Sequence, residues 1–183
     1  MGQTAYVDGP YGSLHLPNTR SPSILMVGGG IGISPLLSML RTLRDTGQSA
    51  RLVLIYAAER AEDLVCNTEL DDLEQELDLE VVRVLREPPE NWPGRRGIVD
   101  ADLIESYLAT DPSKWDVVLC GPPPMMDAVE QAVRDQGVPL RQIHSERFDI
   151  GAAHAVGRRS AEIRGLVLAL GAVMLGAAAL FAW

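Results

Sequence analysis

A glycine-rich run, Gly28-Gly29-Gly30-Ile31-Gly32-Ile33-Ser34-Pro35, lies between an apolar stretch and a helical pattern. In that context free backbone N–H groups and the helix dipole face whatever occupies the loop, which favours a phosphate. Glycines let a pyrophosphate approach the backbone with no Cβ in the way. The G-x-G-x-x-G fingerprint does not fit, because Ile33 stands at its last glycine, and there is no Walker lysine. A tight strand-to-helix turn with no ligand is the other reading of this loop. A second loop, Cys120-Gly121-Pro122-Pro123-Pro124-Met125, has the same context. A buried lone cysteine is usually an inert small hydrophobe, but one at a strand's carboxyl end is placed for ligand contact. A third place is Ala57-Ala58-Glu59-Arg60. An acid there can bind ribose hydroxyls and repel a 2′-phosphate. Glu59 therefore argues for an unphosphorylated ribose and Arg60 keeps a 2′-phosphate open, while a solvated pair with no ligand role is the alternative.

These loops need a frame. Residues 24–27, 52–56, 81–85 and 116–120 are short β-branched apolar runs that read as buried strands, and a last strand is expected over 142–148. Helical patterns lie between them. Ser34 is expected to cap a helix with Pro35 at its first position and Gly47 at its end. Residues 68–77 place Leu70, Leu73 and Leu77 on one face. Residues 101–108 and 125–136 also read as helices. The alternation predicts an α/β fold, a doubly wound parallel five-stranded sheet. In the order 3-2-1-4-5, the loops after the first and fourth strands meet at the switch point, where such sheets bind ligands.

Composition narrows the function. Among 183 residues, Lys+Arg total 16 against Asp+Glu 25, a net charge of -9, with no basic stripe. A nucleic-acid groove is excluded on that ground. Two cysteines exclude a disulfide scaffold, a four-cysteine zinc site and an iron–sulfur cluster held by this chain alone. No apolar run follows Met1, so no secretory signal is expected.

The loops together resemble the NAD(P)-binding domain of the ferredoxin–NADP reductase superfamily, in particular its ferric-reductase-like bacterial branch. The motif G-G-x-G-I/V-x-P is matched by Gly29, Gly30, Gly32, Ile33 and Pro35, and C-G-P-x-x-M by Cys120, Gly121, Pro122 and Met125. The terminal E-x-F is matched by Glu146 and Phe148. Gly9-Pro10-Tyr11-Gly12 resembles the hand-over from the family's flavin barrel, and the resemblance covers roughly residues 5–150. It implies hydride transfer from NAD(P)H to FAD, with Gly29 to Ser34 on the pyrophosphate. It also implies Cys120 beside the nicotinamide, Glu146 organising that pocket and Phe148 near the flavin. The R-x-Y-S/T flavin signature does not occur in the chain, so FAD is expected from sequence outside it or from a partner. A non-catalytic nucleotide-binding or interaction module that has lost its flavin domain is the alternative. The electron acceptor is a further partner that the motifs leave unnamed.

Residues 165–183 carry no charge and follow Arg158, Arg159 and Arg164. At ~1.5 Å per residue they reach roughly 28 Å, the thickness of a hydrocarbon core. The expected division is a barrel remnant and linker over 1–22, the NAD(P)-binding domain over 23–150, a linker over 151–164 and a transmembrane helix over 165–183. The arginines predict a single-pass cell-membrane protein with its nucleotide domain on the cytoplasmic face. A buried core helix is the alternative for the tail.

Overall fold

The computed structural model describes residues 14–16, 21–108 and 110–147. Phe148, the linker over 151–164 and the apolar run over 165–183 lie outside the described residues. Among the described residues no helix is long and apolar enough to cross a membrane.

The strands are β1 (Ser23–Gly29), β2 (Arg51–Ala58), β3 (Leu79–Leu85), β4 (Arg95–Arg96), β5 (Trp115–Gly121) and β6 (Ile143–Arg147). The helices are α1 (Ile33–Thr46), α2 (Asn67–Glu76), α3 (Ala101–Leu108) and α4 (Pro123–Asp135). All the strands pair in parallel, in the order β4-β3-β2-β1-β5-β6. The expected order of five strands is present, but the sheet has six. β4 is a two-residue edge strand whose arginines are both exposed, so no hydrophobic alternation announces it.

Alternate side chains of each strand feed opposite faces, as a period of two requires. Met26, Leu54, Val118 and Cys120 join one cluster, packed with Leu36, Leu40, Leu70 and Leu73 of α1 and α2. Leu25, Val27, Ile55, Val117 and Leu119 join the other, against Leu103, Ile104, Val129 and Val133 of α3 and α4. Burial on both faces explains why the strands read as continuous apolar runs. Each fully buried Leu or Val contributes about 1.5–3 kcal/mol by transfer from water, an upper figure for a compact unfolded chain.

Helix α1 starts earlier than expected. Its N-cap is Gly32, with no side-chain cap bond, and Ser34 is its second residue. The glycine loop winds through a short 3-10 turn, Gly30–Gly32, straight into the helix, so the start needs no serine cap. The other end is as expected: Gly47 sits at φ 64° and donates to the Arg44 carbonyl at 3.1 Å.

Candidate functional site

The two loops meet because β1 and β5 are adjacent, with Gly28 opposite Cys120. An ideal Cβ on Gly32 would overlap the carbonyl oxygen of Cys120, so close approach demands glycine there. Gly30 differs: its φ is +54°, and a Cβ would meet nothing within 4 Å. The backbone at Gly30 is open to a ligand, and the start of α1 carries no side-chain oxygen on its N–H groups. Met125 fills the space between the loops, its sulfur 2.8 Å from where a Cβ on Gly29 would stand.

A cavity of about 810 Å³ opens beyond the carboxyl ends of β1, β2, β3 and β5. Gly29, Gly30, Ile33 and Ser34 line it from the first loop, and Pro122 and Met125 from the second. Ile31, Val65 and Ile98 form apolar walls and are 70%, 51% and 66% exposed, an unusual state for large aliphatic side chains. At the β2 end the lining is charged: Glu59, Glu62, Asp63 and Arg86. Arg60 does not line the cavity. Its Nε donates to Glu87 at 3.2 Å, and its guanidinium lies 3.8 Å from Glu62. Its backbone N–H donates to Asp63 Oδ2 at 3.0 Å. Tyr56, buried at the end of β2, holds this turn: its hydroxyl accepts the Val65 N–H at 3.1 Å and donates to the Asp63 carbonyl at 3.4 Å. Burial pushes the Tyr56 phenol above its ordinary range, so it keeps the proton that it donates.

Cys120 and Glu146 are opposite each other in the β5–β6 register. Neither is in the cavity lining, and nor are Gly32 and Gly121, which form the contact between the loops. The Cys120 side chain is fully buried in the cluster beneath α1. Burial first, and the charge of Glu146 second, push its thiol up to about 11. It is therefore a neutral, polarizable contact at pH 7 and not a nucleophile. The half-buried Glu146 carboxylate accepts the backbone N–H of Leu14 at 3.3 Å. That bond ties residues 14–16 to β6.

Sequence reasoning missed Tyr56, Glu62, Asp63, Val65, Arg86 and Ile98. All but Ile98 lie at or just beyond the carboxyl ends of β2 and β3. Extending the strand-end argument from the glycine loops to β2 and β3 would have found them. Ile98, just past β4, had no such signal. Among the described residues no group of acids, histidines or cysteines is placed to hold a metal ion.

The family model described as "Oxidoreductase NAD-binding domain" matches residues 26–131. The chain is 35% identical over 144 residues to NADH-cytochrome b5 reductase 1 of Ajellomyces capsulatus, covering 75% of this chain and 46% of that protein. It is 32% identical over 159 residues to the protein of that name from Cryptococcus neoformans, covering 81% and 54%. The chain thus spans about half the length of the curated relatives it matches. Among solved structures it resembles a cytochrome P450 reductase of Amycolatopsis, with a TM-score of 0.66 and 29% identity over 76% of this chain and 42% of that one. The cytochrome b5 reductase domain of Ulva prolifera nitrate reductase shares the fold, with a TM-score of 0.61 at 24% identity over 71% and 51%. The matched residues hold both glycine loops and most of the cavity wall, and the chain belongs to the oxidoreductase NAD-binding domain family, within the ferredoxin reductase-like superfamily.

Proposed function

We propose that the chain is the NAD(P)H-binding half of a flavin-dependent oxidoreductase. The observation that carries this reading is the cavity at the carboxyl ends of β1, β2 and β5, walled by both glycine loops. The residues present fit a dinucleotide. Gly30 leaves open space, the uncapped start of α1 offers N–H groups to a pyrophosphate, and the apolar walls suit an adenine. Ile33, Ser34, Pro122 and Met125 complete the cradle, with Gly121 behind them in the contact between the loops. When bound, NAD(P)H would supply hydride chemistry for a flavin. The chain's own task is to hold the nicotinamide ring in place. Cys120, sealed beneath α1, acts through the backbone it holds at the end of β5, and Glu146 fixes the adjoining edge through its bond to Leu14. Phe148 is assigned to the flavin face by the resemblance of its E-x-F motif alone. FAD is held by sequence outside this chain or by a partner, and the electron acceptor docks there.

Within this reading NADH is the preferred donor, because Glu59 faces the ribose end while Arg60 is turned to Glu87 and Glu62. The ferric-reductase-like bacterial branch rests on the loop motifs alone; the curated relatives named above are fungal cytochrome b5 reductases. Residues 165–183 anchor the chain in the cell membrane, with the nucleotide domain on the cytoplasmic face.

Calorimetric titration with NADH and NADPH tests the reading. Saturable binding, weakened at least about tenfold by Gly30→Val, is expected. Absence of binding to either nucleotide would leave a non-catalytic interaction module as the better description.

A further inference from the structure

The chain beyond β3 stays bonded to the chain beyond β2. Arg86 donates its backbone N–H to the Ala58 carbonyl at 3.1 Å, and Glu87 donates to that of Glu59 at 2.8 Å. This extension carries the Arg86 side chain to the cavity wall beside Glu59. The two side chains are 67% and 47% exposed, and Nη1 of Arg86 lies 3.7 Å from Oε2 of Glu59, too far for a hydrogen bond. A pair so exposed is weak and screened. Of the other cavity acids, Asp63 is engaged by the turn it closes, and Glu62 has Arg60 at 3.8 Å, a pair as loose as that of Arg86 with Glu59. Among the described residues, then, Arg86 is the cavity's cation, and its loose partner is the acid expected to read the ribose.

We propose that Arg86 is a masked anchor for a 2′-phosphate on the adenosine ribose, with Glu59 as its mask. The inference rests on the reading of this cavity as the adenosine end of a nucleotide site. With an unphosphorylated ribose, Glu59 accepts from the hydroxyls and Arg86 stays beside it. A phosphate monoester at the 2′ position meets repulsion from Glu59 and a planar fork of N–H donors from Arg86. The balance between these two side chains sets how far the site favours NADH over NADPH, and Arg60 has little part in it.

The test uses 5′-AMP and adenosine 2′,5′-bisphosphate, which differ only in the 2′-phosphate, titrated into the purified full chain. The readout is the ratio of the two dissociation constants. Glu59→Gln should shift it toward the bisphosphate by about tenfold, and Arg86→Gln should shift it the other way by a similar factor. In the double variant the gain from Glu59→Gln should vanish. Arg60→Gln should move the ratio by less than about twofold. Arg86→Gln should also flatten the salt dependence of bisphosphate binding. A merely structural role would shift both ligands alike, and an unchanged unfolding midpoint checks that the variants fold. An unmoved ratio in Arg86→Gln, or a full gain from Glu59→Gln in its background, would overturn the inference while the nucleotide reading stood. If the unsubstituted chain binds neither 5′-AMP, the bisphosphate nor NADH, both fall together.

Discussion

Gly32 is seated directly on the carbonyl oxygen of Cys120, with no room for a Cβ between them. Its φ of -62° is ordinary for any residue, so contact between the loops, and not backbone freedom, requires glycine. The loop after β1 and the loop after β5 are thereby locked as one unit at the switch point of the sheet.

Gly32→Ala should therefore be among the most damaging small changes. The methyl group meets backbone, which cannot rotate away, and a loss of about 3 kcal/mol or more is expected. Gly30→Ala should cost only about 1–2 kcal/mol, the penalty of a left-handed conformation. Urea unfolding of the two variants side by side checks the contrast, and equal losses would contradict the loop-locking argument.

The Cys120 thiol, raised from 9.0 to about 11, gives an alkaline signature. The folded state holds the proton more tightly than the unfolded state. Its stabilising contribution is therefore fully present below about pH 9 and is lost as pH rises through about 11, up to about 3 kcal/mol in all. Stability measured from pH 8 to 11 should fall less steeply in Cys120→Ala, after allowance for the smaller core. At pH 8 a thiol reagent should label the exposed Cys66 quickly and Cys120 only on unfolding.

Tyr56→Phe removes the hydroxyl that joins β2 to the Asp63–Val65 turn. The cost to stability should be about 1 kcal/mol. Because Asp63 and Val65 are cavity wall, nucleotide affinity should fall several-fold as well. Unfolding midpoints and NADH titration would separate the two effects. Unchanged affinity would mean that the turn holds its shape without the tyrosine.

Removal of the apolar tail tests the anchor. The full chain should sediment with membranes and resist alkaline washing, whereas a chain ending at Gly157 should remain in the supernatant and still bind nucleotide. Recovery of the full chain in the supernatant would remove residues 165–183 from the membrane.

The strands and the two glycine loops were legible in the residues because their causes are local. A run such as 52–56 is apolar on both faces wherever it pairs, and Gly47 ends α1 through its own left-handed backbone. The fold class and the glycine-rich loop follow from such short-range signals. The start of α1 was misread because Ser34 is a good cap by type, yet the contact of Gly32 with β5, distant in sequence, sets where the helix begins. β4 escaped because its two exposed arginines make a strand only by pairing with Val84 and Leu85. The same limit governs the site. That Glu59 faces Arg86 while Arg60 turns to Glu87 depends on the register of β2 against β3 and on the bonds that continue beyond it. That Cys120 is sealed beneath α1 beside Glu146 depends on the stacking of β1, β5 and β6. Residue types and spacing named candidate chemistry after β1 and β5 and at Glu59, but not beyond β3. Which side chains meet across the crevice was decided by parallel pairing between segments far apart in the chain, for which no local pattern carries the information.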